Sequence, residues 1–238
     1  MYLSIIIPAY KEEKRIGAHL ESIHEYLSKQ SCDYEVIVVV DGSPDNTAGV
    51  VEGLRAKMPY LRLIDNKQNC GKGCVVKQGM LEARGDWRLF TDADGATSID
   101  QLDGFLPYTK QGYEVAIASI GLKKSQVAHS EKWYKRFFGK ISNWIIQLVL
   151  LPGIHDTQRG FKLFSAKAAQ DIFSKLTITR WGFDMEVLAL ARKFKYKIKE
   201  VSVFWKNDAA STVKLSGYLK TFVELLKIRF NLILGKYK

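Results

Sequence analysis

Short apolar runs alternate with helix-period segments through the first ninety or so residues. Tyr2 to Ile7 is a β-branched run closed by Pro8, the pattern of a buried strand that stops at a loop. Lys14 to Leu27 puts Ile16, Leu20, Ile23 and Leu27 at helical spacing. Tyr34 to Val40 is a nearly continuous apolar run, as expected of a parallel strand covered on both faces. The breaker-rich Asp41-Gly42-Ser43-Pro44-Asp45 follows, then a helix from Asp45 or Asn46 to about Lys57. Leu61 to Ile64 reads as a third strand, Lys72 to Ala83 as a helix and Trp87 to Thr91 as a fourth strand.

Strands alternating with helices predict an α/β protein with a mostly parallel sheet. Sites in such sheets lie beyond the carboxyl ends of the strands. Polar clusters follow Ile7, Val40, Ile64 and Phe90, so four consecutive strands deliver them to one edge. The second half is less regular. It predicts a strand at Val115 to Ser119, a helix at Trp133 to Leu151 and a polar-to-apolar segment at Asp156 to Phe164. A helix at Phe183 to Phe194, a strand at Ile198 to Trp205 and a terminal helix at Leu215 to Leu234 complete it.

Composition narrows the classes. Of 238 residues, 47% are hydrophobic, enough for a globular core. No apolar run reaches the roughly 18 residues needed to cross a bilayer. The N-terminal run is too short, and lacks the basic start, for a signal peptide, so the chain is expected to be cytoplasmic. Cys32, Cys70 and Cys74 are expected to be reduced, structural thiols. The net charge of +11 attracts anionic lipid, phosphorylated small molecules or nucleic acid, and no nucleic-acid-binding motif accompanies it.

Four motifs carry chemistry. Asp92-Ala93-Asp94 follows a strand, and paired carboxylates there suit a hard ion such as Mg²⁺ or Mn²⁺ shared with substrate phosphates. A diphosphate leaving group needs such neutralisation as the bond breaks. Asp41 at a strand end can bond a nucleobase or ribose. Pro8, Ala9, Tyr10 and Glu12 can wall a base pocket. Asn69-Cys70-Gly71-Lys72-Gly73 lets the backbone approach closely and supplies a point charge for phosphate, without being a P-loop. Each motif alone is also ordinary turn chemistry; their order is what is specific.

Pro-Ala-Tyr-x-Glu, Asp-Gly-Ser-x-Asp-x-Thr, Asn-x-Gly-Lys-Gly and Asp-Ala-Asp-Gly, in that order, resemble glycosyltransferase family 2. The blocks Ile154 to Phe164, Arg180 to Glu186 and Glu200 to Trp205 look like polyprenyl-phosphate hexose synthases, most of all the dolichyl-phosphate β-glucosyltransferases. The resemblance implies a Rossmann-like GT-A domain over residues 1–210, with an amphipathic C-terminal helix over 211–238. It implies that Pro8, Ala9, Tyr10, Glu12 and Asp41 hold the base and ribose, that Gly71 and Lys72 lie by the diphosphate, that Asp92, Ala93 and Asp94 contact the nucleotide sugar, and that Asp92 and Asp94 hold Mg²⁺ or Mn²⁺. Asp156 would sit by the acceptor and the anomeric carbon, and Arg159 by the acceptor phosphate. Two positions depart from the pattern. Val40 stands where the family often has a first aspartate, and the family's Gly-Ser-Lys is replaced by Ala210-Ser211-Thr212, with Lys214 two places on. Ser211 and Lys214 are candidates for the acceptor phosphate.

The implied reaction is an inverting transfer of a hexose, glucose by the nearest resemblance, from UDP-glucose to a polyprenyl or dolichyl phosphate. A phosphate monoester, with a second pKa of about 6, needs no general base. Asp156 then either orients a basic partner or assists metal and acceptor. A lipid acceptor calls for a membrane surface. Phe137, Phe138, Ile141, Trp144, Ile145, Leu148 and Val149 lie on one face of the first long helix, with Lys132, Lys135, Arg136 and Lys140 beside them. Leu215, Leu219, Phe222, Val223, Leu226, Phe230 and Ile233 repeat the pattern on the last. Basic amphipathic helices suit an in-plane interfacial position, and the same faces suit the core, a second copy of the chain or a membrane-protein partner. A family 2 transferase with a hydroxyl acceptor, a GDP-mannose-dependent mannose synthase and a non-catalytic binding protein are the competing readings. The histidines show no ligand spacing, and His155 is expected to be structural.

Overall fold

The computed structural model describes residues 3–128, 133–206 and 215–237. Ser211, Lys214 and Lys132 lie outside them, as do the side chains of Lys135, Arg136, Phe137, Phe138, Lys140, Leu215 and Leu219. The elements run β1 (Leu3–Ala9), α1 (Ile16–Leu27), β2 (Tyr34–Asp41), α2 (Thr47–Leu54), β3 (Leu61–Asn66), α3 (Lys72–Glu82) and β4 (Trp87–Thr91). A 3₁₀ turn (Ile99–Gly104), α4 (Leu106–Lys110), β5 (Val115–Ser119), β6 (Gln126–Ala128) and α5 (Trp133–Val149) follow. The chain continues with β7 (Phe161–Ser165), α6 (Ala166–Ser174), α7 (Phe183–Lys193), β8 (Ile198–Ser202), β9 (Phe204–Lys206) and α8 (Leu215–Ile233).

Seven strands form one sheet in the order β3-β2-β1-β4-β7-β5-β8. β1 through β4 are mutually parallel, and β7 runs antiparallel to both β4 and β5. The sheet is covered on both faces, which explains the continuous apolar runs. Ile5 and Ile7 face one cluster with Val36, Val38 and Val40, beneath Ile16, Leu20 and Ile23 of α1. Ile6 faces the other with Ile37 and Val39, beneath Val75, Val76 and Met80 of α3 and the buried side of α7.

The strand order reverses between β1 and β4, and sheets of this kind place their ligand crevice beyond the carboxyl ends of the strands at such a switch point. Because β7 is antiparallel, its amino end reaches the same edge. The loop before it, Asp156 to Gly160, therefore stands beside the end of β4, where the Asp92 N–H donates to the Gly160 carbonyl at 3.0 Å.

Three expectations are corrected. The run Ile198 to Trp205 is not one strand: β8 pairs with β5 in the main sheet, while β9 pairs with β6 in a separate two-stranded sheet. Cys70 and Cys74 are not free thiols but a disulfide, with Cα atoms 5.8 Å apart. The first turn of α3 brings Cys74 back over Cys70 at i and i+4, within bonding reach. On α5, Ile145 and Val149 pack partly against the core, while Ile141, Trp144 and Leu148 project outward, the last two 64% and 70% exposed.

α8 has two apolar sides, which explains its broad pattern. Leu225 and Ile228 are buried, while Phe222, Val223, Leu226, Phe230 and Ile233 are exposed. No helix among the described residues is long and apolar enough to cross a membrane.

Candidate active site

Each of the four parallel strands ends in a loop at the crevice. After β1, Tyr10 is exposed, with the Lys11 ammonium 5.4 Å from its ring centroid. The Glu12 N–H donates to Thr47 Oγ1 at 2.9 Å, joining this loop to the turn after β2. The Glu12 carboxylate pairs with Arg15 at 2.7 Å. Burial raises the Glu12 pKa; Arg15 opposes the rise, while Asp94 and Asp92 add to it. Ala9 is buried at the end of β1, and Ala93 between the two aspartates.

Asp41, at the end of β2, is 3% exposed. Its Oδ1 accepts from the Cys70 N–H at 2.7 Å, and its Oδ2 from the Gly71 N–H at 3.0 Å and Asn69 Nδ2 at 2.8 Å. Three of about four lone-pair positions are thus taken by the protein. What Asp41 does in this arrangement is fold the 69–71 loop. Gly71 stands there at φ +101°, a conformation that favours glycine, as the residue before α3.

α3 opens with Lys72, whose Nζ lies 2.6 Å from Asp92 Oδ1. Burial pulls the Lys72 pKa down, but Asp92, Asp184 and Asp94 outweigh it and hold it above the usual lysine value. Asp92 and Asp94 do not continue β4 as an extended chain. They form a turn in which Asp94 Oδ1 accepts from the Ala96 N–H at 3.0 Å. Burial and the neighbouring Asp92 raise the Asp94 pKa, against Ala96, Lys72 and Arg15. Opposite Asp92 stands Gly160, and a Cβ there would fall 2.0 Å from Asp92 Oδ2. His19, on α1, lies against Gly95, and burial lowers its pKa to about 4 against the pull of Asp92.

Two carboxylates, one of them partly neutralised by Lys72, fit a hard ion completed by phosphate oxygens and water. No cluster of three or more potential metal-ligating side chains occurs among the described residues. Asp92 and Asp94 are the carboxylates that would contribute to such a site.

Across the crevice, Asp156 is buried and held by backbone. Its Oδ2 accepts from the Ile120 N–H at 3.2 Å and its Oδ1 from the Gln158 N–H at 3.2 Å. The same Oδ2 accepts from Arg159 Nε at 3.0 Å, and the Arg159 guanidinium lies 4.4 Å from the Trp205 ring centroid. Glu200 supports the loop from behind, accepting from the N–H groups of His155 at 3.0 Å and Asp156 at 3.1 Å, while His155 Nδ1 lies 2.8 Å from it. His155 thus makes structural contacts.

Sequence reasoning gave no role to the buried pair Lys162–Asp184. Lys162 Nζ also donates to the Arg159 carbonyl at 2.5 Å, tying β7, α7 and the arginine loop together. The signal was present: a lysine flanked by Phe161 and Leu163 in an apolar strand needs a buried partner. Gly160 had no such signal, since its role depends on which side chain lies opposite.

Charges of both signs meet where the strand order turns back, and the sheet that brings them together is that of the GT-A glycosyltransferases. The chain belongs to glycosyl transferase family 2, whose model matches residues 4–173. It is 35% identical over 240 residues to a dolichyl-phosphate β-glucosyltransferase of Trichomonas vaginalis, covering 96% of this chain and 73% of that one. It is 32% identical to the Homo sapiens dolichyl-phosphate β-glucosyltransferase, covering 99% and 77%. Among solved structures it resembles mannosyl-3-phosphoglycerate synthase from Rubrobacter xylanophilus, with TM-score 0.73, 17% identity and coverage of 99% and 75%. It also resembles glucosyl-3-phosphoglycerate synthase from Mycobacterium tuberculosis in complex with Mn²⁺, UDP and phosphoglyceric acid, with TM-score 0.71, 16% identity and coverage of 96% and 78%. At that identity the two structures speak to the fold.

Proposed function

We propose that this enzyme transfers glucose from UDP-glucose, with inversion, to a dolichyl or polyprenyl phosphate at a membrane surface. The observation that carries this reading is the Asp156–Arg159 pair in the loop whose Gly160 meets Asp92: the acceptor side offers a fixed cation, which suits a phosphate nucleophile. The names of the relatives support the sugar and the acceptor class.

Lys72 balances the leaving diphosphate, and Asp92 and Asp94 would hold Mg²⁺ or Mn²⁺, which supplies further neutralisation of that leaving group. Arg159 receives the acceptor phosphate, and Asp156 fixes the guanidinium. A phosphate oxygen attacks the anomeric carbon; the bond to the acceptor forms as the bond to UDP breaks. No proton need be removed from a largely dianionic phosphate, so no side chain serves as general base. The outward faces of α5 and α8 would lie in the membrane interface, where Trp144, Leu148 and Phe230 can be buried.

The test is transfer from radiolabelled UDP-glucose or GDP-mannose to a short polyprenyl phosphate, with Mn²⁺ or with EDTA. Organic-extractable label from UDP-glucose, abolished by EDTA, is expected. Label from GDP-mannose alone would replace the sugar, and donor hydrolysis without lipid label would overturn the acceptor.

A further inference from the structure

Trp181 is a large aromatic side chain left 63% exposed at the mouth of the crevice. Its ring centroid lies 5.4 Å from Lys72 Nζ, and the same ammonium is 2.6 Å from Asp92. The segment that carries it is pinned along its length. Glu186 accepts from the N–H groups of Thr177 at 2.9 Å and Ile178 at 2.7 Å. The Thr179 carbonyl accepts from the Cys74 N–H at 3.1 Å, which lays the segment over the Lys72 loop. Beyond the tryptophan, the Gly182 N–H donates to Glu224 Oε2 of α8 at 2.8 Å. Trp181 is therefore an apolar surface held in a fixed place rather than a side chain on a loose loop. Holding such a surface in water brings no stability by itself, whereas a rigid ring binds a ligand at low entropic cost.

We propose that Trp181 is the platform on which the transferred hexose stacks. The inference rests on the reading of Lys72 as the diphosphate lysine. The sugar is joined to the terminal phosphate of the donor, so a ring 5.4 Å from that lysine is placed to meet the sugar rather than the base. A glucopyranose directs its hydroxyls outward and leaves axial C–H groups on its faces. Those weakly positive hydrogens match the negative face of an indole. Lys72 serves both partners: it holds the diphosphate and fixes the indole by a cation–π contact.

The test compares the donor with its bare nucleotide, because only the donor carries the hexose. Dissociation constants for UDP-glucose and UDP are measured by calorimetry with Mn²⁺ on the full chain, its Trp181→Ala variant and its Trp181→Phe variant. Should the wild type turn over GDP-mannose instead, GDP-mannose and GDP take their places, so failure of the glucose reading leaves this test intact. Trp181→Ala is expected to weaken donor binding about tenfold, the scale of one aromatic contact, with nucleotide binding unchanged. Trp181→Phe is expected to recover most of the loss. Equal weakening of donor and nucleotide would show that Trp181 acts only through Lys72 and would overturn the proposal. So would unchanged donor binding, whether or not the KM for polyprenyl phosphate rose.

Discussion

Asp41 and Asp92 occupy matching places. Each closes or follows a parallel strand, β2 or β4, at the same edge of the sheet. Around Asp41, the loop after β3 curls back and presents two backbone N–H groups and the Asn69 amide to the carboxylate. Around Asp92, the facing chain is Gly160, which presents no side chain, and the nearest cation is Lys72 at 2.6 Å. One carboxylate is taken up by three donors of a folded loop; the other meets one lysine and a bare glycine. An aspartate at a strand end therefore announces a place, and the loop opposite decides who takes its lone pairs.

The contrast is broken most forcefully at Gly160. A Cβ there would come within 2.0 Å of Asp92 Oδ2, so Gly160→Ala must push the carboxylate or the 156–160 loop aside. A displacement near 1 Å at a reacting centre costs about a hundredfold in rate, and that is the expected fall in kcat/KM. The melting temperature should move little, because the crevice can open toward solvent. Wild-type turnover in Gly160→Ala would mean that the space beside Asp92 is not used.

Asp41→Asn should show the reverse pattern. The amide replaces one acceptor oxygen with a donor that faces a backbone N–H, that of Cys70 or of Gly71, and leaves it unpaired. The expected cost is about 2–3 kcal/mol in urea unfolding. Donor binding should weaken as a consequence, through the Lys72 loop. A variant of unchanged stability that had lost nucleotide binding would instead make Asp41 a ligand of the base, as the family resemblance implies.

Much of this frame was legible in the sequence. The strands β1 and β2 read clearly because a strand buried on both faces leaves a nearly unbroken apolar run, and Val115 to Ser119 was read at its observed bounds. The crevice followed from what stood after those runs. Local pattern could not show that Ile198 to Trp205 serves two sheets, because the choice of pairing partner is made elsewhere in the chain. Nor could it show that Ser165 accepts from the Ala168 N–H to begin α6, an element the apolar pattern left unassigned. The outward face of α8 was foreseen, but its buried residues Leu225 and Ile228 blurred the periodicity. Asp41 shows the deepest limit: its three donors come from residues 28 to 30 positions away.

The smallest effect sharpens the comparison with a third carboxylate of the same edge. Asp45 accepts from Ser43 Oγ at 2.6 Å, from Thr47 Oγ1 at 2.5 Å and from the Thr47 N–H at 3.2 Å. What burial it has pushes its pKa up, but these hydrogen bonds hold it down at about 2. A pKa lowered in the folded state gives stability that is present above the unfolded value and lost as pH falls through the folded one. The window therefore runs from about pH 4 down to about pH 2. Because Asp45 is only half-buried, solvent screens it and the contribution should be about 1 kcal/mol or less. Asp45→Asn should then be less stable than the wild type by that amount near neutral pH, and the gap should narrow through the window. Urea unfolding of both proteins at neutral pH and at pH 3 measures it. A gap that stayed constant would mean that Asp45 acts by its shape as a turn residue and not by its charge.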